Sequence, residues 1–310
     1  MNRDLTRGPV MGSMLAFAVP MILGDLLQQC YNVADTLIVG KYLGKNALAA
    51  VGSSFTLMTF LTSILLGLCM GSGAVFSIRF GQRDEEGLRE GAHAAFALIA
   101  ALTLALNAAA FLSLDWVRVF LRVPEEVWGM MREYLAVIFC GIAATFLYNY
   151  FASFLRAVGN SVVPLVFLAT SAGLNIVLDL WFVLGLQRGT GGAAEATVIA
   201  QYVSGTGIAA YTLVKYPQLR PGDGRFQVKP ARIREIAGFS ILTCVQQSVM
   251  NLGILMVQGL VNSFGPTVMA AFAAAVKIDA FAYMPVQDFG NAFSTFIAQN
   301  YGAKREDRIR

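Results

Sequence analysis

Polar side chains interrupt the apolar stretch from Pro20 to Gly40, near the start of the sequence. A helix brings residues three or four positions apart round to one side, so four of these polar residues share a face: Asp25, Gln28, Asn32 and Asp35. A carboxylate at the centre of a bilayer-spanning helix costs about 2.5–3.5 kcal/mol. We therefore expect Asp35 to exchange a proton or a cation. Asp25 is equally compatible with a solvated position at an interface.

Pro20 lies inside the same predicted helix. A proline lacks the backbone N–H that would bind the carbonyl of Ala16, so the helix can bend at this point. We predict that Pro20 is a hinge. A helix that bends and carries an inward-facing carboxylate is typical of membrane proteins that are coupled to protons or cations.

A second set of polar residues lies in the apolar segments after Val162. Asn175 and Asp179 are four residues apart and share a helix face, where the Asn175 amide can donate to the carboxylate. An end-of-helix role for Asp179 is the alternative, but apolar residues follow it and favour a functional role. Thr197 places a hydroxyl among small residues that permit close helix packing. That hydroxyl is equally compatible with a hydrogen bond to the backbone four residues earlier.

The last predicted helix carries charged residues at membrane depth: Lys277, Asp279 and Asp288. Lys277 and Asp279 are two positions apart, so they do not face each other and need separate partners. Pro285 predicts a kink in this helix. Together with Gln28 and Asn32, the three charged residues are candidates for a substrate path.

The composition is that of a membrane protein. Of the 310 residues, 56% are hydrophobic and only 14% are charged, whereas soluble domains have about 25% charged residues. Apolar stretches of about 20 residues predict about eight membrane-spanning helices: Ser13–Val39, Ala47–Ser77, Ala92–Leu114, Trp128–Phe151, Val162–Leu186, Ala193–Leu213, Ile236–Val261 and Thr267–Ile297. The predicted fold class is therefore an all-α polytopic membrane protein.

The distribution of positive charge predicts the orientation. Most Lys and Arg residues fall in alternate loops, on the same side as the N-terminal arm and the C-terminal end. Short cytoplasmic loops hold such an excess. We expect a multi-pass protein of a bacterial or archaeal inner membrane, with both termini in the cytoplasm.

An internal repeat divides the chain. The stretch that begins YLGKNALAAVGSSF aligns without a gap with the stretch that begins SFGPTVMAAFAAAV. Gly44 matches Gly265 and Gly81 matches Gly302, both at a spacing of 221 residues. The copies are the second and eighth predicted helices, six spans apart, so both cross the membrane in the same direction, as in transporters with parallel repeats. We predict a six-helix N-lobe over residues 1–214 and a cytoplasmic loop over 215–235. The first two helices of a C-lobe, over 236–310, are expected to stand apart from the N-lobe.

Five segments together resemble the multidrug and toxic compound extrusion (MATE) family: YNVADTLIVGKYLG, LRAVGNSVVP, NIVLD, GGAAEATVIAQ and FIAQNYGAKREDR. The resemblance covers essentially the whole chain, in the family's order. It implies an antiporter built from two lobes of six helices each, which exports organic cations and other drugs against inward H+ or Na+. The chain is then expected to lack about four helices of the family pattern.

The resemblance also implies the site. Carried over by position, the coupling-ion site consists of four residues: Asp35, Asn175, Asp179 and Thr197. The first helix would bend at Pro20. Two nearby carboxylates cannot both ionise cheaply, so this site would trade a proton or Na+ and would need no cofactor. The expected partners are small organic, often cationic, substrates and the lipid bilayer, without nucleic acid, and the expected state is a monomer.

Three alternatives to a drug antiporter remain open at this point. A lipid-linked precursor flippase of the same superfamily usually lines its cavity with several basic residues, and only Lys277 is available. An intramembrane enzyme needs a nucleophile with a base, or metal ligands, which the single His93 and the four scattered cysteines do not supply. We therefore predict that the chain is not an enzyme. The third alternative is a fragment without activity of its own.

Overall fold

The computed structural model describes residues 4–220 and 229–309, except for the side chains of Lys277 and Ala280. Over these ranges the regular structure is helical, without a β-strand. The helices are α1 Val10–Tyr42, α2 Lys45–Gln82, α3 Glu85–Leu112, α4 Leu114–Phe120, α5 Glu125–Ile138, α6 Ile142–Ala157, α7 Val162–Asp179, α8 Gly189–Lys215, α9 Pro230–Asn262, α10 Pro266–Gly302 and α11 Glu306–Ile309.

Short turns join some of these helices into longer segments. A 3-10 turn at Phe139–Gly141 links α5 to α6, and a π-helical turn at Leu180–Gly185 extends α7. Within the described residues, six segments are long and apolar enough to cross a membrane. The two parts of α10 are bent by 43° relative to each other, and they form a seventh such segment if they count as one span. α8 is not apolar enough to be included. The prediction of an all-α polytopic membrane protein is confirmed.

The repeat found in the sequence is visible in the backbone. Gly44 and Gly265, which match each other, precede α2 and α10 with φ angles of 87° and 89°. Arg83 and Lys304, which follow the same two helices at the same spacing, have φ angles of 58° and 56°. A positive φ is uncommon for any residue except glycine. The two copies therefore share local backbone structure at both ends of the repeated helix.

α9 lies against α2 over much of its length. A Cβ atom at Gly67 would lie 2.8 Å from Cys244 N, and one at Gly71 would lie 2.7 Å from Ser240 N, so glycine is needed for this approach. The hydroxyls of Ser72 and Ser240 share a hydrogen bond of 3.1 Å at the same level. Small residues on α2 thus bring the two backbones close together.

α10 packs against both α1 and α2 and only slightly against α9. The expectation that the last two helices stand apart from the first six is therefore wrong for this chain. It relied on the repeat and on the long polar loop, and it overlooked the glycines of α2 as a packing surface. The division into two lobes stays a prediction. Its loop boundary needs correction, because α9 begins at Pro230 and takes in residues that were assigned to the loop.

Ion pairs hold the start of α9 to α2 and α3. Glu90 of α3 pairs with Lys229, and with Arg232 at 3.2 Å. Glu235 pairs with Arg79 of α2 at 2.5 Å and with Arg232 at 2.9 Å. These contacts explain why the helix extends further towards the loop than the apolar pattern predicts.

Two apolar clusters fill the interior. The larger one is built mainly from α2, α3, α5 and α6, and in it Phe76 makes edge-to-face contacts with Phe154 at 5.8 Å and Tyr150 at 6.3 Å. The smaller cluster joins the N-terminal arm, α1 and α10: Leu5, Met14, Phe17, Ala18, Met21, Ala292 and Phe296. Many other large apolar side chains are exposed, as expected where helices face lipid.

Candidate functional site

Three of the four predicted site residues are buried in the membrane-spanning region. Asp35 of α1 is 7% exposed, Asn175 of α7 is 1% exposed, and Asp179 at the end of α7 is fully buried. The π-helical turn Leu180–Gly185 begins directly after Asp179. Turns of this kind are rare and often lie at functional sites. Their positions make Asp35 and Asp179 candidates for binding a proton or a cation.

Asn175 and Thr197 are joined by a direct hydrogen bond. Asn175 Nδ2 donates to Thr197 Oγ1 at 3.2 Å, and Thr197 Oγ1 donates to the carbonyl of Ala193 at 3.1 Å. The backbone bond that is the alternative for Thr197 is therefore present, and the same hydroxyl also accepts from Asn175. Asn175 Oδ1 is buried and accepts no hydrogen bond from the described residues. This oxygen is free to take a further donor or a cation.

Two tyrosines connect the acids of α1 and α7. Tyr31 and Tyr134 each lie within electrostatic range of both Asp35 and Asp179. The Tyr31 hydroxyl also shares a hydrogen bond with the side chain of Gln28. Both carboxylates thus act on the same two phenols, and their helices α1 and α7 pack against each other.

Neither tyrosine is among the site residues predicted from the sequence. Tyr31 had a usable signal, because it lies four residues before Asp35 and hence on the same helix face. Tyr134 had none, because an aromatic residue in an apolar segment is ordinarily part of the core.

The rest of the polar face of α1 points into the protein. Asn32 is buried and Gln28 is half-buried. Thr36 donates from its hydroxyl to the carbonyl of Asn32 at 2.7 Å. Gln29, which the predicted face did not include, is also buried and donates to Met284 Sδ of α10 at 3.0 Å. The polar surface of α1 is therefore wider than the sequence pattern indicates.

α1 continues through Pro20 as one helix, from Val10 to Tyr42. A single conformation does not test bending, so the hinge stays a prediction. α10 is bent between its parts Pro266–Val276 and Phe281–Gly302. The bend lies one turn before Pro285, where a proline removes a backbone hydrogen bond and crowds the carbonyl four residues earlier.

The predicted substrate-path residues of α10 do not form one group. Asp279 is exposed, Asp288 is 3% exposed, and the side chain of Lys277 lies outside the described residues. Asp288 shares hydrogen bonds with Asp25 and Asn291. Asp25 is half-buried next to α10, and its role stays a prediction.

Soft-metal chemistry has no candidate site in the part of the chain that the structure describes. No three or more His, Cys, Asp or Glu side chains are grouped there so as to hold a metal ion. The donors near Asp35 and Asp179 are carboxylate, amide and hydroxyl oxygens, the type that suits Na+ or a proton.

Comparison with known proteins places this fold among transporters. A family model described as MatE matches residues 20–181 and 240–310. The probable multidrug resistance protein YpnP of Bacillus subtilis is 29% identical over 306 residues, which cover 99% of this chain and 68% of that protein. YoeA of the same organism, also named a probable multidrug resistance protein, is 29% identical over 96% of this chain and 66% of its own length. The chain thus spans about two thirds of these relatives.

Solved structures agree with this comparison. A MOP superfamily transporter from Pyrococcus furiosus, described as having a binding pocket of reverse polarity that suggests a different function, superposes with a TM-score of 0.87. The two chains are 25% identical, over 99% of this chain and 68% of the other. An outward-facing multidrug resistance MATE family transporter superposes with the same TM-score at 24% identity, which shows the fold alone.

Proposed function

We propose that this chain, which belongs to the MatE family, forms the cation-binding part of a drug exporter in the inner membrane. The relatives named as multidrug resistance and multidrug export proteins support this substrate class. The exporter would be an antiporter that couples outward movement of small organic compounds to inward movement of H+ or Na+. Both termini would lie in the cytoplasm, and a single copy of the protein would carry the site.

The observation that carries this proposal is that α1 and α7 pack against each other and each buries an acid, Asp35 and Asp179, within electrostatic range of the same two tyrosines. Both acids are buried. Two ionised carboxylates at one low-dielectric site repel each other, so the site gains from taking up one positive charge. Charge exchange at the contact of α1 with α7 is therefore the event to which substrate release would be coupled.

The residues around the two acids fit a proton or Na+. Asn175 Oδ1 is a buried oxygen without a hydrogen-bond donor among the described residues. The Thr197 hydroxyl lies close by, because it accepts a hydrogen bond from the Nδ2 atom of the same amide. When bound, Na+ would neutralise the carboxylates and satisfy such oxygens. Asp35, Asp179, Asn175 and Thr197 would hold it.

α1 would transmit the charge change. Asp35 is buried on a helix that packs against α7, while Gln28, Asn32 and Gln29 of the same helix are buried or half-buried. Neutralising Asp35 removes a repulsion between α1 and α7 and lets α1 change its shape at Pro20. Acids and amides also favour a cationic substrate over the anionic precursor that a lipid flippase would carry.

The test is dye efflux from proteoliposomes that contain this chain, under an imposed H+ or Na+ gradient. Asp35→Asn and Asp179→Asn preserve shape and hydrogen bonding but remove the exchangeable charge. We expect either variant to abolish gradient-driven efflux, while Asp115→Asn, which changes an acid with a side chain 78% exposed, keeps it. Wild-type rates in both site variants would disprove the proposal. Absence of efflux from the unmodified chain under both gradients would instead support the inactive-fragment alternative.

A further inference from the structure

α1 and α10 pack against each other in opposite directions with a constant register. Gln29 of α1 meets Met284 of α10 through a hydrogen bond of 3.0 Å. Four residues back along α1, Asp25 meets Asp288, which is four residues further along α10. The smaller apolar cluster continues the seam towards the N-terminus of α1. Steps of four residues on both helices are the usual geometry of packed helix ridges.

The contact between Asp25 and Asp288 requires a proton. An ionised carboxylate can only accept hydrogen bonds, so two carboxyl groups bond to each other only when one of them is protonated. Asp288 is 3% exposed, and the pair lies between the Gln29–Met284 bond and the apolar cluster. Asp25 is half-buried, so water screens the repulsion between two ionised groups here only in part.

Asp288 has spare capacity for a proton. Its Oδ2 atom is buried and has no hydrogen-bond partner among the described residues, so the bonds to Asp25 and Asn291 use the other oxygen. A buried carboxylate oxygen without a donor is costly when the group is ionised, and less costly when a proton shared with Asp25 removes the charge. This atom is evidence for ligand binding that is independent of the closeness of the two acids.

The charges around the pair support one proton. Arg156 of α6 is a positively charged group that acts electrostatically on Asp288. Tyr148, also of α6, interacts electrostatically with Asp25, Asp288 and Arg156. Two ionised acids and one guanidinium carry a net charge of −1, and one shared proton brings the group to zero. A neutral group is the stable state in a low-dielectric interior.

We propose that Asp25 and Asp288 form a second proton-binding site, which holds one proton between α1 and α10. Asp25 lies ten residues before Asp35 on α1, which is about 15 Å along a helix at 1.5 Å per residue. The site is therefore separate from that of Asp35 and Asp179. Loss of the proton would place like charges on both sides of the α1–α10 contact and would favour separation of these helices.

The experiment is infrared difference spectroscopy of this chain in lipid nanodiscs, titrated across neutral pH. The starting protein carries Asp35→Asn and Asp179→Asn, so that the first site contributes no carboxyl signal. We expect a C=O band of a protonated carboxyl at neutral pH, which shifts in D2O. Asp25→Asn or Asp288→Asn in this background should remove the band, because an asparagine amide donates to the remaining carboxylate without a proton.

Asp279→Asn, which changes an exposed acid on the same helix, is the matched control and should leave the band unchanged. The proposal is overturned if the background protein shows no such band, or if the band survives in both pair variants. Displacement of the band by Na+ at constant pH would likewise overturn the assignment to a proton. The spectrum of the starting protein, which carries neither Asp25→Asn nor Asp288→Asn, already tests the proposal. Poor folding of Asp25→Asn would therefore leave the proposal open to refutation. Because efflux is not measured, failure here is distinguishable from failure of the proposed function.

Discussion

Replacing Thr197 with valine tests the contact between α7 and α8 at the candidate site. Valine keeps the shape of threonine but removes the oxygen that accepts the hydrogen bond from Asn175 Nδ2 at 3.2 Å. Asn175 is 1% exposed, so its amide has no bulk water to bind instead. A buried polar group that loses its partner costs about 1–3 kcal/mol. We expect Thr197→Val to lower the free energy of unfolding by about this amount.

The matched control is Thr206→Val on the same helix. The hydroxyl of Thr206 donates to the carbonyl of Tyr202 at 2.6 Å, as that of Thr197 does to Ala193. Thr206 is exposed, so this variant removes an equivalent intrahelical hydrogen bond without leaving a buried polar group unpaired. Surface changes of this kind cost less than about 0.5 kcal/mol.

Denaturant titration of both variants in one detergent measures the difference between their free energies of unfolding. Repeating the titration with Na+ or choline as the cation distinguishes a loss of packing from a loss of Na+ binding. A ligand that binds only the folded state adds to its stability. Stabilisation by Na+ should be present in the unmodified chain and in Thr206→Val and should be reduced in Thr197→Val. Equal unfolding free energies for the two variants would refute the dependence of Asn175 on Thr197.

Three further changes probe the rest of the structure. Gly71→Ala should lower the free energy of unfolding by about 1–2 kcal/mol, because the added Cβ overpacks the contact with α9. Gly73→Ala, whose Cβ would have ordinary contacts, should leave that free energy unchanged, and denaturant titration compares the two variants. Glu90→Gln removes the charge that pairs with Lys229 and Arg232, so it should lower the free energy of unfolding by about 1–2 kcal/mol in low salt and by less in high salt. Glu86→Gln, whose side chain is 73% exposed, should change that free energy little in the same titration. Pro20→Ala should reduce dye efflux without reducing protein yield, because the helix loses its bending point; unchanged efflux would remove the hinge from the mechanism.

Much of the helical architecture follows from the sequence, because a bilayer imposes long apolar segments. The predicted segment Val162–Leu186 differs from the observed Val162–Gly185 by a single residue. Helix ends were underestimated where polar side chains continue the helix beyond the apolar part. α9 is the example, since the ion pairs of Glu90 and Glu235 that hold its first turn join residues distant in sequence.

The candidate site could be predicted in part, for a related reason. The cost of a carboxylate in a bilayer singles out Asp35 and Asp179 from the sequence alone. Whether two such acids meet depends on how helices pack, and the sequence contains no direct signal of it. The same limit explains why Asp25 and Asp288 were treated separately, although they are partners in the structure.

α1 is the one helix that reaches both acid pairs. Its Asp35 and the Asp179 of α7 act electrostatically on the same two tyrosines, and its Asp25 bonds with Asp288 of α10. A change of charge at either pair therefore alters the contacts of the same helix. If α1 moves as a rigid rod, strengthening its contact with α7 strains its contact with α10, and the two sites oppose each other. If it bends, the segments that carry Asp25 and Asp35 respond separately, so the stiffness of α1 decides whether the two pairs act together.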